Sequence, residues 1–273
     1  MMKQTGLIGI LGGLGPEAGR LLHGYIIEEA ARLKSITCDQ DHYDIVHLSL
    51  PSIIPDRASY IFDRACPNPT PVIFTILKSM ALVAEQHDRP MSVCIPCNTY
   101  HAPVLFDPLK EALDKSDMRH HVRILNLIEE SALAVQTYAE TSKTKTGTGA
   151  DRVGLISTSG ERASGIYRHY LGLQGIEVIQ ADDTEQKFVD DAIYNPVYGL
   201  KATSAGTPVV REILRDVVTL LQKRGAEIII LGCTELPFVF DGEEWGGAHF
   251  ISPMRIMARR LIEEAEKRRN IAL

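Results

Sequence analysis

Short apolar runs alternate with longer amphipathic stretches along nearly the whole chain. Leu7–Leu11, Ile45–Leu50, Met91–Ile95, Val153–Ser157, Val178–Gln180 and Ile228–Leu231 read as strands. Most are apolar at consecutive positions, the pattern of strands covered on both faces of a parallel sheet. The stretches between them follow a helical period. Over Pro208–Arg224, the residues Val210, Ile213, Leu214, Val217, Val218 and Leu221 form one stripe, with Arg211, Glu212, Arg215 and Asp216 largely off it. Met254, Met257, Ala258, Leu261 and Ala265 give the last helix the same spacing. This alternation predicts an α/β fold with a mainly parallel sheet flanked by helices. Two polar, glycine-bearing segments, Ser142–Asp151 and Phe240–Ala248, are expected to be loops.

The chain also echoes itself. IGILGGLG at Ile8–Gly15 aligns with VGLISTSG at Val153–Gly160, and IPCNT at Ile95–Thr99 aligns with LGCTE at Leu231–Glu235. Each half has a strand running into a glycine-bearing loop, and later a strand ending in a cysteine. The duplicated cysteines are Cys97 and Cys233.

Composition narrows the partners. The 273 residues carry 29 Lys+Arg against 35 Asp+Glu, a formal charge of −6, which argues against a nucleic-acid footprint. No apolar run approaches the roughly 20 residues that span a bilayer, and the N-terminal residues lack the pattern of a secretory signal. Five cysteines, an odd number, do not read as a disulfide framework. A cytoplasmic protein with reduced thiols is expected.

In an open parallel sheet, ligands bind beyond the carboxyl ends of the strands. Cys97 and Cys233 both fall there, where helix N-termini and backbone N–H groups favour a thiolate. Cys94 lies within its strand, and Cys38 and Cys66 are expected to be small buried hydrophobes. A zinc set of Cys94, Cys97, His101 and Cys233 would lack a second Cys-x-x-Cys knuckle. Cys94-Ile-Pro-Cys97 has redox-pair spacing, but that motif normally opens a helix. The remaining chemistry is acid–base: a thiolate removes a proton from one face of a carbon while a thiol returns one to the other face. The loop at Gly12–Gly19 spaces its glycines G-x-G-x-x-x-G, which misses the dinucleotide fingerprint. Carboxylate binding by its backbone N–H groups, around Leu14, suits it equally.

Gly12-Gly13-Leu14-Gly15-Pro16-Glu17-Ala18, Pro96-Cys97-Asn98-Thr99 and Gly232-Cys233-Thr234-Glu235-Leu236 together resemble the aspartate/glutamate racemase family, and most closely its aspartate branch. Glu235 stands where glutamate racemases usually carry His. The resemblance implies two pseudo-symmetric α/β domains with the active site in the cleft between them. It also implies a homodimer, and racemisation of a small amino acid without pyridoxal phosphate, metal or nucleotide. Residues 1–117 with 240–273 are expected to form the domain carrying Cys97, and 118–239 the domain carrying Cys233. The same resemblance makes Cys97 and Cys233 the catalytic thiols and sets Asn98 and Thr99 on the substrate α-carboxylate. Arg57 falls on a side-chain carboxylate partner and Lys201 on a lysine facing the substrate; Thr234 is expected to help stabilise the enediolate. Two positions depart from the family pattern. Tyr100 replaces a common Ala and is expected as a bulkier pocket wall. Glu161 replaces Thr, and its charge would oppose an acidic substrate. The expected reaction is L-aspartate to D-aspartate. Racemisation of other amino acids, cysteine-dependent isomerisation or decarboxylation of small diacids, and non-catalytic amino-acid binding stand as alternatives.

Overall fold

A computed structural model describes residues 5–146, 152–240 and 244–269. The chain divides into two compact units, one comprising the described residues up to Leu127 and from Met254 onward, the other Ile128–Pro253.

The first unit begins with β1 (Leu7–Gly12), α1 (Pro16–Leu33), β2 (Ile45–Ser49), α2 (Arg57–Phe62) and α3 (Thr70–Gln86). It continues through β3 (Met91–Cys94), α4 (Pro103–Asp114) and β4 (Val122–Ile124). Its four strands are all parallel, in the order β2-β1-β3-β4. Central strands β1 and β3 are buried at every position, whereas edge strand β2 is only half-buried. This is why their sequences are apolar without alternation. Alternate residues feed two separate clusters. Leu7, Leu11, Met91 and Val93 pack with α3 and α4, and Ile8, Ile10 and Cys94 pack with α1 and the C-terminal helix residues Met254–Ala265.

The second unit contains α5 (Leu127–Thr146), β5 (Arg152–Ile156), α6 (Ser159–Ser164), α7 (Ile166–Gly172), β6 (Glu177–Gln180) and α8 (Asp183–Tyr194). These are followed by α9 (Leu200–Thr203), α10 (Pro208–Lys223), β7 (Ile228–Leu231), β8 (Glu244–Trp245) and β9 (Ala248–Ile251). α11 (Pro253–Arg269) then returns to the first unit. The strand order is β6-β5-β7-β9-β8, with only β8 antiparallel. Setting β8 aside, the two sheets repeat one topology: second strand, first, third, fourth. The echo in the sequence is thus a duplicated parallel sheet, and each cysteine follows the third strand of its half.

Five expectations change. Val122–Ile124 pairs with Met91–Val93, so residues 118–127 belong with the first unit. Residues 240–253 belong with the second, because Ala248–Ile251 pairs with β7. Three-residue β4 is too short to show a period, and β9 follows a turn-rich stretch. Within Phe240–Ala248, Glu244–Trp245 and Ala248 pair across Gly246 and Gly247 (φ 59° and 80°), the two positive-φ positions that a tight hairpin turn needs. Of Ser142–Asp151, residues 142–146 continue α5 and the rest lie outside the described residues. Cys38 is exposed and Cys66 half-buried, because both lie in irregular segments between elements and outside the core. No described helix is long and apolar enough to cross a membrane.

Strand packing is tight at Gly9 on β1. A Cβ there would stand 2.6 Å from Val93 Cγ2, 2.8 Å from Met80 Cε and 2.9 Å from Met91 Sδ. Gly9→Ala is therefore expected to destabilise the first unit by about 1–3 kcal/mol, seen as a lower denaturant midpoint. An unchanged midpoint would show that these side chains give way freely.

Candidate active site

The carboxyl ends of β1, β2 and β3 lie along one edge of the first sheet. Beyond β1, Gly13 takes φ +99°, and a Cβ there would press on the backbone of Leu50 and Pro51. Pro16 opens α1, where its missing donor is no loss. Gly12 and Gly19 have a different reason: a Cβ on either would stand 2.8 Å and 2.6 Å from His47 Nε2. Gly12, Gly13 and Gly19 thus make room for a histidine ring and a tight turn. Arg57 opens α2, whose N-cap Asp56 accepts from Ser59 N at 2.8 Å. Its Nη2 donates to the Leu14 carbonyl at 2.8 Å, so the β1 loop and the arginine are held together.

Beyond β3, Cys97 N donates to Ile95 O at 2.8 Å and Tyr100 N donates to Cys97 O at 3.2 Å. Asn98 and Thr99 follow in a single 3₁₀ turn, Asn98–His101. Cys97 and Asn98 are buried. His101 braces the turn from beneath, with Nε2 3.0 Å from the Ile95 carbonyl. Since a carbonyl only accepts, the ring proton sits on Nε2. Burial pushes this imidazole down to about 4, so it is neutral near pH 7. Tyr100 is fully buried among Leu105, Phe106 and Ile73, with its hydroxyl 3.5 Å from Thr70 Oγ1. It backs the loop from within the core, in place of the pocket wall expected from sequence. Cys94 and Cys97 join different core clusters, Cys94 with α1 and the C-terminal helix and Cys97 with α3 and α4. No set of three or more His, Cys, Asp or Glu among the described residues is placed to hold a metal ion.

The second unit holds the more charged half. Gly232 N donates to Ile156 O at 2.8 Å, and a Cβ on Gly232 would stand 3.0 Å from Ser157 Cβ. The loops after β5 and β7 therefore touch. Cys233, buried, donates its thiol hydrogen to Glu235 Oε2 at 3.0 Å. Thr234 Oγ1 donates to the same oxygen at 2.9 Å, and Lys201 Nζ donates to Glu235 Oε1 at 2.6 Å. Lys201 reaches this point because Gly199, whose Cβ would lie 2.6 Å from the Asn195 backbone, lets α9 start in close contact with the preceding turn. Tyr194 covers the ammonium, its ring centroid 5.8 Å from Lys201 Nζ.

The electrostatics follow. Burial works to raise the Glu235 carboxyl, but Lys201 overrides it and holds the group below the ordinary range. Burial and then the Glu235 charge push the Cys233 thiol well above its usual value, so the resting group is a thiol. A thiol hydrogen-bonded to an ionised carboxylate has a proton to give and an acceptor to receive it. Neither Lys201 nor Glu235 is recognisable from sequence as a partner of the other. Only the two-residue spacing from Cys233 hints at Glu235.

Glu161 is the second buried carboxyl of this unit. Thr158 Oγ1 caps α6 by accepting from Glu161 N at 3.2 Å. The glutamate side chain is only 1% exposed, and among the described residues neither carboxyl oxygen has a hydrogen bond of normal geometry. Burial pushes it up to about 7, with Ser157, the Tyr167 N–H and Arg168 nearby working weakly the other way.

Against known proteins, the Asp/Glu/Hydantoin racemase family model matches residues 11–261. Aspartate racemase from Picrophilus torridus is 25% identical with a TM-score of 0.70, over 95% of this chain and 94% of that one. Glutamate racemase of Francisella tularensis, solved with D-glutamate, shares the fold at a TM-score of 0.60 and 14% identity, over 96% of this chain and 81% of that one. Glutamate racemase of Deinococcus radiodurans is 30% identical over 152 residues, 54% of this chain but only 43% of that protein.

Two outcomes are expected from the second unit. Glu235→Gln removes the charge that raises Cys233 and leaves Lys201 to lower it. Peptide-resolved iodoacetamide labelling at pH 8 should then modify Cys233 faster than in the parent, and slower labelling would overturn this account of the triad. Glu161→Gln should change stability in a pH-dependent way. With the native carboxyl raised from 4.5 to about 7, the folded state binds more protons than the unfolded one between these values, so stability falls as pH rises through that window. The glutamine variant should match the parent near pH 4 and exceed it by up to about 3 kcal/mol at pH 8. A flat difference across pH, measured by denaturant unfolding, would refute the burial argument.

Proposed function

The chain belongs to the Asp/Glu/hydantoin racemase family, and on that footing we propose that it racemises an amino acid, aspartate before others, with Cys97 and Cys233 as its two acid–base groups. The observation that carries this reading is the repeated topology: a buried cysteine follows the third strand of each duplicated sheet. Each unit supplies one thiol. The thiolate of one removes the Cα proton, forming an S–H bond as the C–H bond breaks. The thiol of the other then delivers its proton to the opposite face and becomes the thiolate.

Negative charge develops on the α-carboxylate as the proton leaves. Asn98, Thr99, Thr234 and the backbone N–H groups around Leu14 are the donors for it, and such preorganised donors usually contribute most to catalysis. Arg57, fixed to the Leu14 carbonyl, presents a fork suited to a second carboxylate. Lys201 keeps a positive charge beside Cys233, and Glu235 is the acceptor through which that thiol loses its proton when it must act as base. Aspartate is supported by the likeness to the Picrophilus torridus aspartate racemase and by Glu235 in place of the His expected of glutamate racemases. A homodimeric, cytoplasmic enzyme that needs neither pyridoxal phosphate nor a metal completes the reading.

Incubation with single enantiomers of aspartate, glutamate and neutral or basic amino acids in D₂O tests it. Aspartate should invert fastest and acquire one deuterium at Cα. Cys97→Ser and Cys233→Ser should each lower turnover by about 100- to 10,000-fold. Parental turnover in either variant, or inversion without Cα deuteration, would overturn the two-thiol mechanism. Faster inversion of another amino acid would overturn aspartate alone.

A further inference from the structure

Four carboxylates are buried among the described residues: Glu29, Glu161, Glu235 and Glu264. Three of them are neutralised within the protein. Glu29 pairs with Arg32, Arg255 and Arg259. Glu235 pairs with Lys201, and Glu264 with Arg123, Arg260 and Lys267. Glu161 alone has no ion pair among the described residues; the Ser157 hydroxyl and the Tyr167 N–H are the donors nearest its oxygens, and neither reaches normal hydrogen-bond geometry. The groups facing it are Ser157 from the end of β5, whose hydroxyl is likewise unsatisfied, and Tyr167 and Arg168 from α7. Arg168 directs its Nη2 to the Arg162 carbonyl at 3.1 Å instead. A buried carboxyl without an ion pair or a well-formed hydrogen bond is costly enough that structures rarely keep one without a use.

Its position connects it to the chemistry. Ser157 abuts Gly232, the residue before Cys233, so Glu161 and the thiol stand behind neighbouring loops at one sheet edge. Tyr167 lies within the electrostatic reach of both. The roles assigned under Proposed function place cationic and N–H donors on the substrate carboxylates and leave its α-ammonium without an anion. Glu235 does not fill that need, being committed to Lys201, Thr234 and the thiol.

We propose that Glu161 receives the α-ammonium group of the amino-acid substrate. The assignment rests on the racemase reading and extends it to a residue where the family pattern has Thr. A charge that would oppose a side-chain carboxylate is suited to the ammonium common to every amino acid. It also gives this site a demand for the amine itself, which a plain diacid does not meet.

The test compares ligands with and without the amine. Calorimetric binding of L-aspartate and succinate, and of L-glutamate and glutarate, is measured for the parent and Glu161→Gln at pH 8. The variant should lose about 10- to 100-fold in affinity for the amino acids and bind the diacids as the parent does. The parent's affinity for aspartate should also fall as pH drops below about 7, where the carboxyl takes up a proton, and the variant should lack that titration. The pH arm needs no substitution and holds if the variant fails to fold. Equal losses for aspartate and succinate, or no titration in the parent, would overturn the assignment and leave the racemase reading intact. A parent protein that exchanges no Cα proton and binds neither amino acid would overturn both.

Discussion

Parallel strand pairing is the constraint on which the rest of this protein depends. A parallel sheet needs a crossover between successive strands and a cover on both faces, and each unit meets both needs with helices. All the strands of a unit except β8 then run the same way, and the loops that follow these parallel strands emerge on the same edge. The loops after β1, β2 and β3 bring Leu14, Arg57 and Cys97 to that edge, though 83 residues of chain separate the first from the last. The second unit repeats the device with Ser157 after β5 and Cys233 after β7, while Lys201 arrives from α9, beyond α8. Strand direction thus gathers residues far apart in sequence, and a helix adds the lysine.

Burial at that edge makes charge expensive, and the two acidic residues of the second unit show opposite responses. Glu235 is as enclosed as Glu161, yet Lys201 keeps it ionised and the thiol and Thr234 hydroxyl complete its hydrogen bonds. Glu161 has no such cation and titrates near neutrality. The difference lies in partners, not in depth. A helix start normally uses a Thr-x-x-Glu pattern to close a capping box, with the glutamate turned back towards the solvent-facing cap. Here Thr158 caps α6 but the Glu161 side chain turns inward, so a residue that could have been a routine helix signal is buried instead.

The fold was legible in the sequence because burial on both faces writes itself as uninterrupted apolar runs. Such runs, together with the duplicated strand-loop and strand-cysteine motifs, suffice for the sheet class and the two halves. What escaped is what leaves no period. β4 has three residues, and β9 hides behind a hairpin whose glycines read as loop. Each is the last parallel strand of its sheet, so missing them displaced the boundary between units. Motif spacing singles out Cys97 and Cys233 as candidates, but the Lys201–Glu235 pair spans 34 residues and needs the fold to bring it together. Tyr100 was misplaced for a related reason. Its neighbours in sequence are site residues, and only the direction of its ring, towards Thr70 and Phe106, assigns it to the core.

A near-symmetric scaffold serving two mirror-image substrates raises a last physical point. Enantiomers have equal free energy in water, so for a racemase kcat/KM is the same in both directions whatever the site looks like. The two thiols of this protein are nonetheless unlike: Cys233 donates to an ionised glutamate, while Cys97 sits in a backbone turn braced by a neutral histidine. Such asymmetry does not favour one product. On the proposed two-thiol mechanism it divides the same efficiency differently between KM and kcat in each direction, because the enantiomer that meets Cys233 as a thiol needs no prior proton transfer to Glu235, whereas the one that needs its thiolate does. The duplicated sheet supplies one buried cysteine to each unit, and the charge cluster beside Cys233 holds that one as a thiol.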